Sequence, residues 1–144
     1  MYFDDFETGY KFDIPDALIE KEAMLDFAKK YDNIPLHTDE EYAKKTSFGG
    51  LIAPGVMSFM TVWAKYLEID LFGQELIAGM STKIMWHKPV FAGDTLTSYG
   101  EVTGLTKRNH KNGIVELTLY IYNQDNVLVM TDITEAVVKC RQVN

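Results

Sequence analysis

The chain is short of the residues that commonly carry export, metal or nucleotide chemistry. It has one cysteine, Cys140, so no disulfide can form within it, and a reduced, cytoplasmic setting is expected. Its three histidines, His37, His87 and His110, have no second histidine or cysteine at ligand spacing, so no metal is expected. Gly49-Gly50 and Gly55 match neither a P-loop nor a dinucleotide fingerprint, and no serine sits on a nucleophile elbow. Basic residues are outnumbered, 14 against 21 acidic ones, leaving a net charge of −7. That balance argues against nucleic acid or an anionic membrane as partner, and any anionic ligand needs a local basic patch. The opening Met1-Tyr2-Phe3-Asp4-Asp5 has acids where an export signal has lysine or arginine. The uncharged stretch from Ser47 to Ala64 approaches spanning length, but Gly49-Gly50 and Pro54-Gly55 interrupt it, which favours a buried helix over a membrane segment.

What is present suits an ordinary folded domain. The 144 residues are 47% apolar and 24% charged, enough for a real core, and a single domain spanning 1–144 is expected. Residues 20–31 have helical spacing, with Ala23, Leu25, Phe27 and Ala28 apolar. Pro35 pushes Ile34 out of helical geometry, so Tyr31 to His37 reads as a loop. Thr38 and Glu41 match a capping box for a short helix from Asp39 to Lys45.

The next helix, from Val56 onward, is apolar on every side, with Met57, Phe59, Met60, Val62 and Trp63 broken only by Ser58 and Thr61. Such a helix is expected to be surrounded by protein. Four strands are expected after it: Leu76 to His87, Asp94 to Lys107, Gly113 to Asn123 and Val127 to Lys139. Lys88-Pro89, Ala92-Gly93-Asp94, Asn112-Gly113 and Gln124-Asp125-Asn126 read as turns between them. The third strand alternates, with Val115, Leu117, Leu119 and Ile121 on one face, as in a sheet with one face in the core. An α+β fold follows, an antiparallel meander curled around one central buried helix, for which the hotdog architecture is the leading candidate.

Asp32 and His37 stand five apart across the proline-constrained loop. A carboxylate and an imidazole meeting at one water can divide general acid and base work. On spacing alone the plainer reading, a capping aspartate and a half-exposed loop histidine, outweighs the catalytic one. Pro54-Gly55 opens the apolar helix, and its first free amides could hold a thioester oxygen as negative charge develops. Alone, it reads as an ordinary helix start first. Lys107, Arg108, His110 and Lys111 could hold a phosphate, or form a solvated hairpin turn. Met57, Met60 and Trp63 read as core before they read as an acyl pocket.

Three segments in order resemble one family. Tyr31-Asp32-Asn33-Ile34-Pro35-Leu36-His37-Thr38-Asp39 resembles the hydratase motif of MaoC-like proteins and R-specific enoyl-CoA hydratases. Phe48-Gly49-Gly50-Leu51-Ile52-Ala53-Pro54-Gly55 is similar to that family's approach to its central helix. Trp86-His87-Lys88-Pro89-Val90-Phe91-Ala92-Gly93-Asp94-Thr95-Leu96 is similar to its Lys-Pro-Val and Gly-Asp-Thr-Leu segment. The resemblance implies a hotdog fold and a hydro-lyase acting on a 2-enoyl or 3-hydroxyacyl thioester, as the coenzyme A ester. Asp32 and His37 would activate the water, and the Gly55 amide would polarise the thioester carbonyl. Pro54, Val56 and Met57 would touch the substrate, with Lys107 and Arg108 at its phosphates. It further implies a homodimer or higher oligomer, and no cofactor besides the coenzyme A that arrives with the substrate. Two positions depart from the family pattern: Ile34 replaces an Asn or Gln that braces the loop, and Pro54 replaces a histidine. A hotdog thioesterase and a non-catalytic acyl-thioester binder remain as alternatives.

Overall fold

The computed structural model describes residues 1–143, so Asn144, the last residue of the expected domain, lies outside the described residues. Five strands, β1 (Lys11–Leu18), β2 (Leu76–Trp86), β3 (Thr95–Lys107), β4 (Asn112–Tyr122) and β5 (Leu128–Lys139), form one antiparallel sheet. Its spatial order is β1-β3-β4-β5-β2. Four helices accompany it: α1 (Lys21–Tyr31), α2 (Pro35–Thr38), α3 (Glu40–Lys44) and α4 (Gly55–Leu67). The sheet packs around α4, which is the expected hotdog arrangement.

Alternation explains why β4 sits at the sheet centre. Val115, Leu117, Leu119 and Ile121 are all fully buried, each stabilising the fold by roughly 1.5–3 kcal/mol relative to exposure. Two core clusters share this face. One gathers Met24, Met57, Phe59, Val62, Leu96 and Met130 around the N-terminal half of α4. The other gathers Phe6, Tyr66, Phe72, Val102, Leu117 and Val138 near its C-terminal half. Trp63 packs against both.

Several local expectations need correction. The strands are not a simple meander: β3, β4 and β5 follow one another, but β2 crosses to pair with β5. Asn112-Gly113 lies inside β4, paired with Lys139 and Val138, because the hairpin turn falls earlier, where the Arg108 and Asn109 amides reach Asn112 O at 3.2 Å. Asp39, not Thr38, caps α3: its Oδ1 accepts from the Tyr42 amide at 3.0 Å, while Thr38 Oγ1 donates back to Ile34 O. In α1 the buried residues are Met24 and Ala28, and Ala23 faces solvent.

The helix α4 is not enclosed on all sides. Met57, Ser58, Phe59, Val62 and Tyr66 are buried, but Val56, Met60 and Leu67 are each about half exposed. Beside them β2 is exposed along nearly its whole length. An apolar seam between α4 and β2 is therefore open in the single chain. No helix among the described residues is long and apolar enough to cross a membrane.

Candidate active site

The Asp32–His37 loop is built mainly by backbone bonds. Pro35 follows an extended Ile34 (φ −123°, ψ 151°) and opens the single turn α2, where its fixed φ and missing N–H suit a first helical position. The loop expectation is thus corrected at its end, since His37 rides on this turn. The Ile34 carbonyl accepts from the His37 amide at 3.0 Å and from Thr38 Oγ1 at 3.0 Å. The side chain of Ile34 points to solvent, so main-chain bonds brace this turn.

His37 is buried, 6% exposed. Its Nδ1 lies 2.7 Å from Ile52 O. A carbonyl can only accept, so Nδ1 carries a hydrogen, and Nε2 is left for chemistry. Nε2 stands 3.3 Å from Asp32 Oδ2, whose side chain is 43% exposed. Two bare acceptors would repel at that separation, so the pair holds one proton between them or a donor bridges them.

The pair opens on a cavity of about 340 Å³ that Gly55, Val56, Ser58, Trp86 and Lys88 also line. Pro54 is the N-cap of α4, and the first intrahelical donor is the Ser58 amide, which reaches Pro54 O at 3.0 Å. The amides of Gly55, Val56 and Met57 precede it, at the positive end of the helix. Ser58 Oγ donates to Gly55 O at 2.8 Å, holding the first turn closed. Gly55 is required sterically: a Cβ there would stand 2.5 Å from Cε2 of Trp86. The indole therefore rests directly on the helix tip as one wall of the cavity.

Of the residues singled out by sequence, Asp32, His37, Gly55 and Val56 come together here. Met57 does not line this cavity; it is buried in the core. Pro54 is buried behind the helix start. Lys107 and Arg108 are not brought to this cavity within one chain. Lys107 pairs with Gly113, while Trp86, through Met130, aligns with Ile121, and the eight residue steps along β4 from Gly113 to Ile121 span about 26 Å. Ile52, Ser58, Trp86 and Lys88 are among the contributors that sequence reasoning missed. Ile52 acts through its carbonyl, which carries no side-chain signal. The Lys88-Pro89 pair was visible as a turn, and its place after β2 is what brings Lys88 to the rim.

Comparison with known proteins identifies the family. Residues 7–132 match the family described as FAS1-like, dehydratase domain region. The chain is 32% identical over 130 residues to the uncharacterized protein YdeM of Bacillus subtilis, covering 90% of this chain and 92% of that one. It is 32% identical over 104 residues to an (R)-specific enoyl-CoA hydratase of Rhodospirillum rubrum, covering 72% and 71%. The solved MaoC-like dehydratase from Rhodospirillum rubrum superposes with a TM-score of 0.85 at 28% identity, over 99% of each chain.

Proposed function

Because this chain belongs to the FAS1-like dehydratase-region family of MaoC-like hotdog proteins, we propose that it adds water to a 2-enoyl thioester, or removes it from a 3-hydroxyacyl thioester, as the coenzyme A ester. The observation that carries this reading is the convergence of Asp32 and His37, 3.3 Å apart, beside the free amides of α4 in one cavity. In the hydration direction the thioester oxygen sits at the Gly55 amide, which stabilises enolate charge as it develops. A water held between Asp32 Oδ2 and His37 Nε2 attacks C3. The pair delivers the proton it holds to C2 and takes one from the attacking water, so its own protonation is restored. The half-exposed Asp32 gives water its way in, and the Nδ1–H bond to Ile52 O holds the imidazole in register.

The same reading assigns a homodimer joined along β2, whose exposed apolar residues and unpaired edge would be covered by a second copy. The test of the chemistry is loss of enoyl-thioester absorbance with crotonyl-CoA. Asp32→Asn and His37→Ala should each lower kcat by about 100- to 10,000-fold. A wild type as inert as both variants across chain lengths would overturn the proposal. Release of free thiol instead would identify a thioesterase.

A further inference from the structure

The seam between α4 and β2 continues away from the Asp32–His37 cavity. On α4 one stripe, Val56, Met60, Trp63 and Leu67, borders three cavities in turn. On β2 the matching order is Trp86, Thr82, Gly79 and Leu76. The second cavity, about 370 Å³, and the third, about 280 Å³, share Trp63, Gly79 and Thr134. The walls of these two cavities are mainly apolar; besides Asp70 in the third and Ser81 in the second, their polar side chains gather at one place.

At that place Thr82 and Thr134 meet Asp132, which is wholly buried. Thr82 Oγ1 bonds Asp132 Oδ1, Thr134 Oγ1 lies 2.5 Å from Asp132 Oδ2, and the two hydroxyl oxygens are 3.0 Å apart. Three contacts need three hydrogens. An ionised Asp132 leaves only the two hydroxyl hydrogens, whereas a neutral carboxylic acid closes the ring with one hydrogen in each contact. Burial, against the opposing hydrogen bonds from Thr134 and Thr82, raises the Asp132 carboxyl above its ordinary range and favours the same state. In the closed ring every hydroxyl hydrogen is committed. What the threonine oxygens can still offer the groove is a lone pair, so the site accepts and does not donate.

We propose that this seam holds the acyl chain of the thioester, and that Thr82 and Thr134 select chains carrying a hydroxyl group at mid-length. The inference rests on the hydratase reading and names its substrate class. Val56 to Met60 spans about 6 Å of helix and Trp86 to Thr82 about 13 Å of strand, which brackets the hydroxyl between about five and ten carbons along the chain. A plain chain covers the threonine oxygens without replacing their water, while a hydroxylated chain donates to them.

The test measures calorimetric Kd values of octanoyl-CoA and of 8-hydroxyoctanoyl-CoA, both saturated and unable to react, with the 6-hydroxyhexanoyl and 10-hydroxydecanoyl esters and their plain counterparts alongside. The wild type should bind at least one hydroxylated ester about tenfold more tightly than its plain counterpart. Thr82→Val should bring that ratio to about one, and Thr82→Ser should retain it. Because Thr82→Val removes a partner of Asp132, the wild-type ratio and Thr82→Ser decide the matter if that variant does not fold. Equal or weaker binding of every hydroxylated ester, or a preference that survives in Thr82→Val, would overturn the inference. Crotonyl-CoA turnover in the same preparations reports the hydratase reading separately, since the binding ratio needs no chemistry.

Discussion

The sheet has two edges, and they are built on opposite principles. On β1 the chain places Pro15 and the charges of Lys11, Asp13 and Asp16. Each of these discourages another strand from pairing. On β2 the exposed residues include Leu76, Ile77, Met80, Met85 and Trp86, with no proline. One edge is closed by its own sequence, and the other is left fit for company. The same open edge supplies Trp86 to the cavity beside Asp32 and His37, and Thr82 to the polar station of the groove. In the proposed reading, chemistry and association therefore fall on one strand.

The contrast can be broken most strongly by charging β2. Met80→Lys should raise the dissociation constant of the proposed dimer at least about 100-fold in sedimentation equilibrium, while Leu18→Lys, at an exposed position on β1, should leave the assembly unchanged. Next, Gly55→Ala forces the indole of Trp86 off the helix tip. It should cost about 100-fold in kcat/KM for crotonyl-CoA, and adding Trp86→Ala should recover part of that loss. A smaller effect concerns Asp132, which ties β2 to β5. Its folded carboxyl is raised, so the native state holds a proton that the unfolded chain loses above about pH 4. Stability then falls as pH climbs from there to the folded value, by at most about 1.4 kcal/mol per pH unit. Asp132→Asn should flatten that slope in urea titrations at several pH values. Smallest of all, removing the Lys11–Glu101 pair on β1, 4.0 Å apart and open to solvent, should move Tm by no more than about a degree.

The same contrast explains what the sequence made legible. Strands β2 to β5 and helix α4 carry strong apolar patterns, and their positions were readable within a residue or two. Strand β1 was not read, because Asp13, Pro15 and Asp16 erase the strand signal in protecting the edge. The helix α2 was hidden for a related reason: Pro35 ends one element and starts another within four residues. At the site, Asp32, His37 and Gly55 were legible through the resemblance of their segments to the family motif, since their spacing alone favoured the plainer reading. Trp86, Lys88 and the Ile52 carbonyl were not, since their roles depend on how β2 and the loop before α4 close over the helix tip. By charge pattern Lys107 and Arg108 read as a solvated turn before a phosphate site, and within one chain the strand register carries them to the far end of the sheet.

The carbonyl that holds His37 belongs to the main chain, on a segment pinned by the bridge between Ile52 and Phe91. Every amino acid supplies that oxygen, so no replacement at position 52 deletes the acceptor by itself. The imidazole's aim is consequently insulated from side-chain drift there, and is vulnerable instead to insertions or deletions that slide the peptide. Reprogramming this centre should therefore proceed through Asp32 or the cavity walls, with loop length left untouched.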